Sequence, residues 1–539
     1  MSIKKLVIKN YKSIARATIE LNEDINIFVG ENDSGKSTIL EAVSIVTTGK
    51  LNGMAFEKQI KVNLFNQLVR EKYINSLSDT DIIEPPQIII EAYLDIEDKK
   101  YSGTNNELRE DCPGIRVELA FNDAYTDIYK NMLKDKEIFD IPVEFYTVSY
   151  QYFSSEPVVY RFSPIKGVFI DTIRKDYSYI VDKFVANNIT TYLNQQERTD
   201  LSTAYRKSRH DFQNNVVVKQ LNKSISKNVK IDNKEVSIDL HEDTVDEWKN
   251  QMSIRVEKIP FENIGFGTQN TIKIELAIKN SSEQVNIVMM EEPENNLSYT
   301  NMTKLVKRVI ESNGKQVFIS THSSYVANKL DLGKIFLLNT GKIKALNQLS
   351  KETKRYFKKL PGYDTLRIVL AEKVVLVEGP TDELIFQRAY IDEHGVVPIA
   401  NGIDVIVVDA LAFKHYCDIA ILLDKKVIII TDNDGDIKTN IQNKYTDYLG
   451  KENLNFIYEK DENLNTIEPS VLEVNCDNGI PSDVFKEVIS KKKSMMSKNK
   501  QEILSFMEKN KVEWAMRVFD SEKKINYPEY IKNAIRQCN

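Results

Sequence analysis

The sequence predicts an α/β protein built on parallel sheets, and three observations carry that expectation. Apolar, strand-like runs alternate with helix-like segments in residues 1–345, and the pattern restarts near 371. A glycine-bearing turn, Gly30 to Ser37, stands between an early strand and the helix after it. Three later runs, "VNIVMMEEPE", "KVVLVEG" and "KVIIITDNDGD", are apolar until they end in acid. Continuous apolar runs separated by helices are typical of strands covered on both faces.

The elements follow in order. "KKLVIKNYKSI" and "RATIELNEDINIFVG" alternate apolar and polar residues with a period of two, as half-buried strands do. "KSTILEAVSIVTTG" has helical spacing, with Gly49 placed to stop it. Residues 85–95 and 140–150 read as further strands, so residues 1–166 form the first part of one α/β unit. Residues 167–255 are long, polar and mostly helical in pattern, with "DYSYIVDKFVANNITTYLNQQ" the clearest amphipathic piece; they read as a helical insertion, a candidate dimerisation element. Strands and helices alternate again over 256–348, a charged connector covers 349–370, and a second α/β unit occupies 371–539.

Composition narrows the class. A chain of 539 residues has room for roughly three or four domain-sized units. With 42% hydrophobic and 28% charged residues it reads as globular rather than disordered. No apolar run approaches the ~18 residues of a membrane span, and the N-terminus lacks the apolar core of a signal peptide. Cys112, Cys417, Cys476 and Cys538 lie far apart without a CxxC pair, which argues against a zinc ribbon or a disulfide framework. The expectation is a cytoplasmic protein without membrane contact. The net charge of −6 does not advertise nucleic-acid binding, yet "FKEVISKKKSMMSKNK", 485–500, holds six lysines against one glutamate. That run fits a solvated helix face as well as a phosphate-binding patch.

"GENDSGKS", Gly30 to Ser37, matches G-x-x-x-x-G-K-[ST] in its proper strand–loop–helix setting. Gly30 and Gly35 let the backbone N–H groups, with Asn32 between them, curl toward phosphate oxygens. Lys36 would reach the β/γ-phosphates of ATP, the Ser37 hydroxyl would hold Mg²⁺, and Thr38 begins the helix whose N-terminus favours anions. Glu291 and Glu292 end the strand in "VNIVMMEEPENNL": one carboxylate can orient Mg²⁺ and its neighbour can polarise water. His322 ends the next apolar strand, in "QVFISTHSS". Together these motifs resemble the ATP-binding-cassette ATPases of the recombination-and-repair branch. The resemblance implies that Gly265, Gly267 and Gln269, in "NIGFGTQNTIKIELAI", contact nucleotide held by a partner subunit, although the segment departs from the LSGGQ form. It also implies head-to-head pairing, hence a homodimer or higher homo-oligomer through the ATPase heads and the helical insertion.

The second unit poses its question in "DNDGD". A calcium loop would want glycine at position six and glutamate at position twelve; counted from Asp432 these are Ile437 and Asn443, so that reading fails. Two apolar strands of one parallel sheet deliver acid to the same C-terminal edge: Glu378 and Asp382 from the first, Asp432 and Asp434 from the second. Such an oxygen-rich set suits Mg²⁺ or Mn²⁺ rather than zinc. Glu-Gly followed by Asp-x-Asp resembles a Toprim domain. The order of cassette and then Toprim resembles the OLD (overcoming lysogenization defect) nucleases, including the nuclease subunit of Gabija antiphage systems. That resemblance implies Glu378, Asp382, Asp432, Asp434 and, in "NTIEPS", Glu468 with Thr466 nearby as the metal site, and Lys511 as the cation beside the scissile phosphate. It implies a nucleotide-regulated, metal-dependent endonuclease on double-stranded DNA acting in antiphage defence, and leaves room for a helicase-like or other defence partner chain. A nucleotide-switched DNA-binding scaffold without cleavage is the alternative. Asp436 lies beyond the matched pair, and a solvated turn residue explains it equally well.

Overall fold

The computed structural model describes residues 1–78, 83–171, 193–228, 236–240, 248, 255–279, 285–311, 314–339, 342–359, 365–408 and 412–538. They fall into two units, Met1–Thr321 with Leu338–Ile343, and His322–Leu337 with Lys344–Asn539.

In the first unit, β1 (Ile3–Tyr11) and β2 (Ile14–Glu20) form a hairpin. The period-two expectation is visible on β2, where Ala17 and Ile19 face inward and Arg16, Thr18 and Glu20 face water. β3 (Ile25–Gly30) then enters a different sheet with Ile27, Phe28 and Val29 fully buried. The helix α1 (Lys36–Thr48) follows and stops at Gly49, whose φ of 67° is a left-handed value that glycine adopts without strain. β4 (Ile88–Leu94), β5 (Cys112–Phe121) and β6 (Tyr146–Tyr152) extend the hairpin into an antiparallel sheet ordered β2-β1-β4-β5-β6. β5 is absent from the sequence expectation because Arg116 and Glu118 interrupt its apolar run. The reason is tertiary: Arg116 neutralises Glu91, a wholly buried carboxylate on β4.

The second sheet runs β7 (Gly167–Asp171), β8 (Ile287–Glu291), β9 (Gln316–Ser320), β3, β10 (Ile335–Asn339) and β11 (Lys342–Ala345). β7, β8, β9 and β3 are mutually parallel. β7 occupies the first five residues of the segment expected to be insertion, so this parallel sheet reaches Asp171. A five-residue edge strand is too short to show a period, and its pairing with β8 could not be read from the chain. Gln316 stitches the two sheets together: its side chain accepts from Ile3 N (2.8 Å) and donates to Ile3 O (2.9 Å) and Asn22 O (2.7 Å).

Within the insertion, α2 (Gln195–Asn214) begins in a capping box made by Asn194 and Glu197, and α3 (Val216–Asn228) follows it directly. Leu201, Val216, Val217 and Leu221 are exposed on this pair. Residues 176–192 of the amphipathic piece lie outside the described residues. α4 (Phe266–Lys279) precedes β8.

In the second unit, α5 (Ser324–Leu330) and α6 (Lys351–Lys359) precede a four-stranded parallel sheet. Its strands are β12 (Lys373–Val377), β13 (Ile403–Val407), β14 (Val427–Ile430) and β15 (Leu454–Ile457), ordered β13-β12-β14-β15. α7 (Pro380–His394) follows β12, and α8 (Phe413–Leu423) follows β13. Later come α9 (Ile467–Glu473), α10 (Lys511–Asp520) and α11 (Glu529–Cys538). Val375, Val377, Phe386, Val471 and Trp514 share one core, so the strands and helices bearing the acidic motifs are packed as one body.

The expected connector is not a free linker. Thr353 on α6 is fully buried, donates to Asp418 and lies 2.8 Å from His415 Nδ1, both on α8. Among the described residues no helix is long and apolar enough to cross a membrane.

Candidate functional site

The first site grows from the turn after β3. Asp33 (φ 62°) and Gly35 (φ 106°) have left-handed backbone, which points successive N–H groups into one concavity. A Cβ on Gly30 would stand 2.4 Å from Ser34 Oγ and 2.5 Å from Leu338 O, so this approach demands glycine. Asn32 is exposed on the loop, and Thr38 Oγ1 lies 3.0 Å from Ser13 Oγ behind it. Lys36 Nζ donates to Gly30 O (2.9 Å) and Glu31 O (2.7 Å), closing the loop on itself. Burial pulls the Lys36 pKa down, opposed by the charges of Glu292, Glu291, Asp33 and Glu31.

The parallel register of β8 and β9 sets Glu291 opposite Ser320, and the Ser37 hydroxyl donates to Glu291. Glu292 adopts φ 42°, a costly value for a side-chain-bearing residue. Its N–H donates to Ser320 O (2.9 Å) and its carboxylate accepts from Asn295 Nδ2 (2.9 Å). His322 stands two residues beyond the end of β9. In the α4 segment Gly265 is exposed, and a Cβ on Gly267 would stand 2.4 Å from Asn296 O. Gln269 is buried, and its amide donates to Phe261 O and Ile264 O at 3.0 Å, so it shapes its own segment instead of projecting outward.

The second site lies at the C-terminal edge of the β12–β14 pair. Glu378 follows β12, and its Oε1 accepts from the Thr431 hydroxyl and from Asp432 N (3.0 Å) at the end of β14. Asp382, in the first turn of α7, accepts from Gly379 N (3.2 Å). Asp434 takes φ 46° and its N–H donates to Asn465 O (3.2 Å), which ties the acidic loop to the next segment. That segment carries Thr466, whose hydroxyl donates to the buried Glu468 (2.9 Å).

Burial, then the charges of Asp382, Glu378, Glu468 and Asp434, push Asp432 up to about 9. Burial, then Glu378 and Glu468, push Asp382 up to about 7. The carboxylates therefore lie within electrostatic reach of one another. Among the described residues, however, no group of three or more His, Cys, Asp or Glu side chains has the spacing of a ready-made metal site. By donor chemistry the set fits a hard divalent cation: it is all oxygen, and it retains protons for want of countercharge. Asp436 stands apart. It accepts from Thr439 N (2.9 Å) and Thr439 Oγ1 (2.7 Å), and these bonds hold its carboxyl below the usual range. It is a capping residue of the following turn.

The family described as "AAA ATPase domain" matches residues 1–327, and "Overcoming lysogenization defect protein-like, TOPRIM domain" matches residues 369–434. The chain belongs to the OLD-family ATPase–Toprim proteins. It is 24% identical over 508 residues to "Endonuclease GajA" of Bacillus cereus (strain VD045), covering 85% of this chain and 80% of that one. "DNA replication and repair protein RecF" of Glaesserella parasuis serovar 5 (strain SH0165) is 33% identical over 79 residues, 14% of this chain and 22% of that one. The "SMC head domain from Thermotoga maritima" overlays with a TM-score of 0.31 at 14% identity, covering 64% of this chain and 99% of that one; so loose an overlay adds nothing to the assignment. The fold class is thus α/β, an ATPase domain followed by a Toprim domain.

Other expected parts of this OLD-family chain are its cations. Lys511, the first residue of α10, is exposed and makes no side-chain hydrogen bond or ion pair among the described residues. Its helix is fixed at the opposite end by Arg388 of α7, which donates to Phe519 O (2.8 Å) and Ser521 O. The lysine run divides. Lys486 is buried and donates to Met496 O, Lys500 pairs with Glu473, and Lys498 lies over the Phe506 ring. Lys491, Lys492 and Lys493 stay exposed, so the patch is a short loop and not a helix face. Sequence reasoning missed Thr431, Tyr445 and Tyr530, which surround the carboxylates. Tyr530 of α11 is buried, and burial followed by the charges of Asp432 and Asp382 raises its pKa. An aromatic residue on the buried side of an amphipathic helix gives no signal of such a neighbour.

Proposed function

We propose that this chain is a nucleotide-regulated, divalent-metal-dependent DNA endonuclease. The observation that carries the reading is the gathering of Glu378, Asp382, Asp432, Asp434 and Glu468 around one sheet edge, with protons held on Asp432 and Asp382. Bound there, divalent ions supply an activated water and charge neutralisation at a phosphodiester. Glu378, Asp432 and Asp434 are the central ligands in this reading, with Asp382 and Glu468 beside them. The protein's part is to hold those oxygens in place: Thr431 and Asp432 N on Glu378, Gly379 N on Asp382, Thr466 on Glu468. Lys511 and exposed Lys491–Lys493 offer cations to the DNA backbone. Similarity to the endonuclease of Bacillus cereus supports the same chemistry.

ATP with Mg²⁺ is the ligand proposed for the first site, and there too the preparation belongs to the chain. Lys36 exchanges loop carbonyls for phosphate oxygens, Ser37 and Glu291 hold the Mg²⁺ position, and Glu292 orients the attacking water. Gly265 and Gly267 face a second copy's cradle in a head-to-head homodimer, which the exposed apolar residues of α2 and α3 reinforce. A role in antiphage defence, beside a further defence-system chain, is part of the proposal.

Purified protein incubated with supercoiled plasmid tests it. Nicked or linear product with Mg²⁺ or Mn²⁺, absent in EDTA and altered by ATP, is the expected outcome. DNA bound and shifted but left unbroken would instead mark a nucleotide-switched scaffold.

A further inference from the structure

Thr431 separates the end of β14 from Asp432, and no motif singles it out. Its side chain is buried, and its hydroxyl proton goes to Glu378 Oε1, the oxygen that also accepts from Asp432 N at 3.0 Å. Two donors converge on one oxygen. Glu378 Oε2 accepts no hydrogen bond among the described residues.

Behind Thr431 stands Tyr445, wholly buried, its ring 4.8 Å from that of Phe456. Its hydroxyl faces the Thr431 side chain and is buried without a well-aligned hydrogen-bond partner. Burial, and then the charge of Glu378, raise its pKa, so the phenol keeps its proton. The residue lies two positions past a π-helical turn, Lys438–Asn443, a rare local geometry that displaces side chains from their α-helical direction. Because Thr431 spends its only proton on Glu378, its oxygen can accept but not donate toward Tyr445. Tyr445 forms no hydrogen bond to it, so any donation between the two hydroxyls could run only from Tyr445 to Thr431.

Building on the metal-dependent reading above, we propose that Thr431, backed by Tyr445, is a positioning residue that pins Oε1 of Glu378 and leaves Oε2 to the divalent cation. Outer-shell partners of this kind orient a ligand without touching the ion.

Calorimetric titration of the full chain with Mn²⁺ tests the inference through Thr431→Val, Thr431→Ser and Tyr445→Phe. Valine keeps the shape without the hydroxyl, so Mn²⁺ affinity is expected to fall by about tenfold or more. Serine restores the donor and is expected to bind within roughly threefold of the unaltered protein; phenylalanine is expected to weaken binding by roughly threefold. Equal affinity for the valine variant and the unaltered protein would overturn the proposal, as would a serine variant no tighter than valine. Should the valine variant fail to melt cooperatively, Tyr445→Phe decides, and unchanged affinity there overturns it. If the unaltered protein itself takes up no Mn²⁺, the metal reading fails and this inference with it, a result distinct from a difference among variants.

Discussion

The two sheet edges both end in acid, yet they differ in what offsets that charge. At the ATPase edge a lysine sits among the carboxylates: the charges of Glu292, Glu291, Asp33 and Glu31 all act on Lys36, while Ser37 and Asn295 bond to Glu291 and Glu292. At the Toprim edge Glu378, Asp382 and Glu468 receive hydroxyl or N–H donors, and among the described residues neither these nor Asp432 and Asp434 form an ion pair. The first edge is balanced around a cation and shaped by N–H groups for an anion. The second accumulates negative charge that only cations or protons relieve. Similar topology, a parallel strand ending in carboxylates, thus serves opposite ligands, and the deciding feature is whether a lysine shares the pocket.

The sharpest way to break this contrast is Asp432→Ala. Plasmid cleavage with Mg²⁺ should fall to background while ATP binding, measured by equilibrium dialysis, stays unchanged; surviving cleavage would refute the site. Lys36→Ala is the mirror experiment. It should weaken ATP binding by roughly 10–100-fold, the worth of a lost charge-assisted hydrogen bond, and leave Mn²⁺ uptake at the Toprim edge intact.

A pH series sharpens the comparison further. Asp432 and Asp382 have folded-state pKa values near 9 and 7, raised above the ordinary carboxylate value of 3.8. The folded chain then binds more protons than the unfolded one, so stability is full below the unfolded value and is lost as pH rises through about 7 and about 9. In EDTA the melting temperature should fall from pH 5 to pH 9, and Asp432→Asn should flatten the slope and melt about 3 °C higher at the alkaline end. A slope unchanged by that variant would show that another group controls it. Asp436→Ala should have the smallest effect: a slightly lower melting temperature from the lost cap, with Mn²⁺ affinity and cleavage as before. A large loss of Mn²⁺ affinity would instead put Asp436 in the ligand set.

Much of each site was legible where the signal is local. The Gly30–Ser37 turn is specified by residues adjacent in the chain, and Gly49 ends α1 through its own backbone preference. Apolar runs ending in acid marked β8, β12 and β14 because a strand buried on both faces has no polar residues until it leaves the sheet. Long-range pairing was not legible. β5 was hidden by Arg116, whose charge makes sense only beside Glu91 on β4, and β7 is recognisable only by its register with β8. The lysine run looked uniform, yet Lys486 and Lys500 are spent on internal partners while Lys491–Lys493 are not.

The sequence by itself determined which chemistry each edge could hold: a phosphate loop with its lysine and serine, and a set of carboxylates spaced to meet at one end of a parallel sheet. Those properties live in residue types and short spacings, which need no knowledge of the fold. Only the tertiary structure decided the state of that chemistry, because burial and through-space charge depend on neighbours far away in the chain. Folding sets Lys36 among its acids, keeps protons on Asp432, and brings Thr431 and Tyr445 behind Glu378.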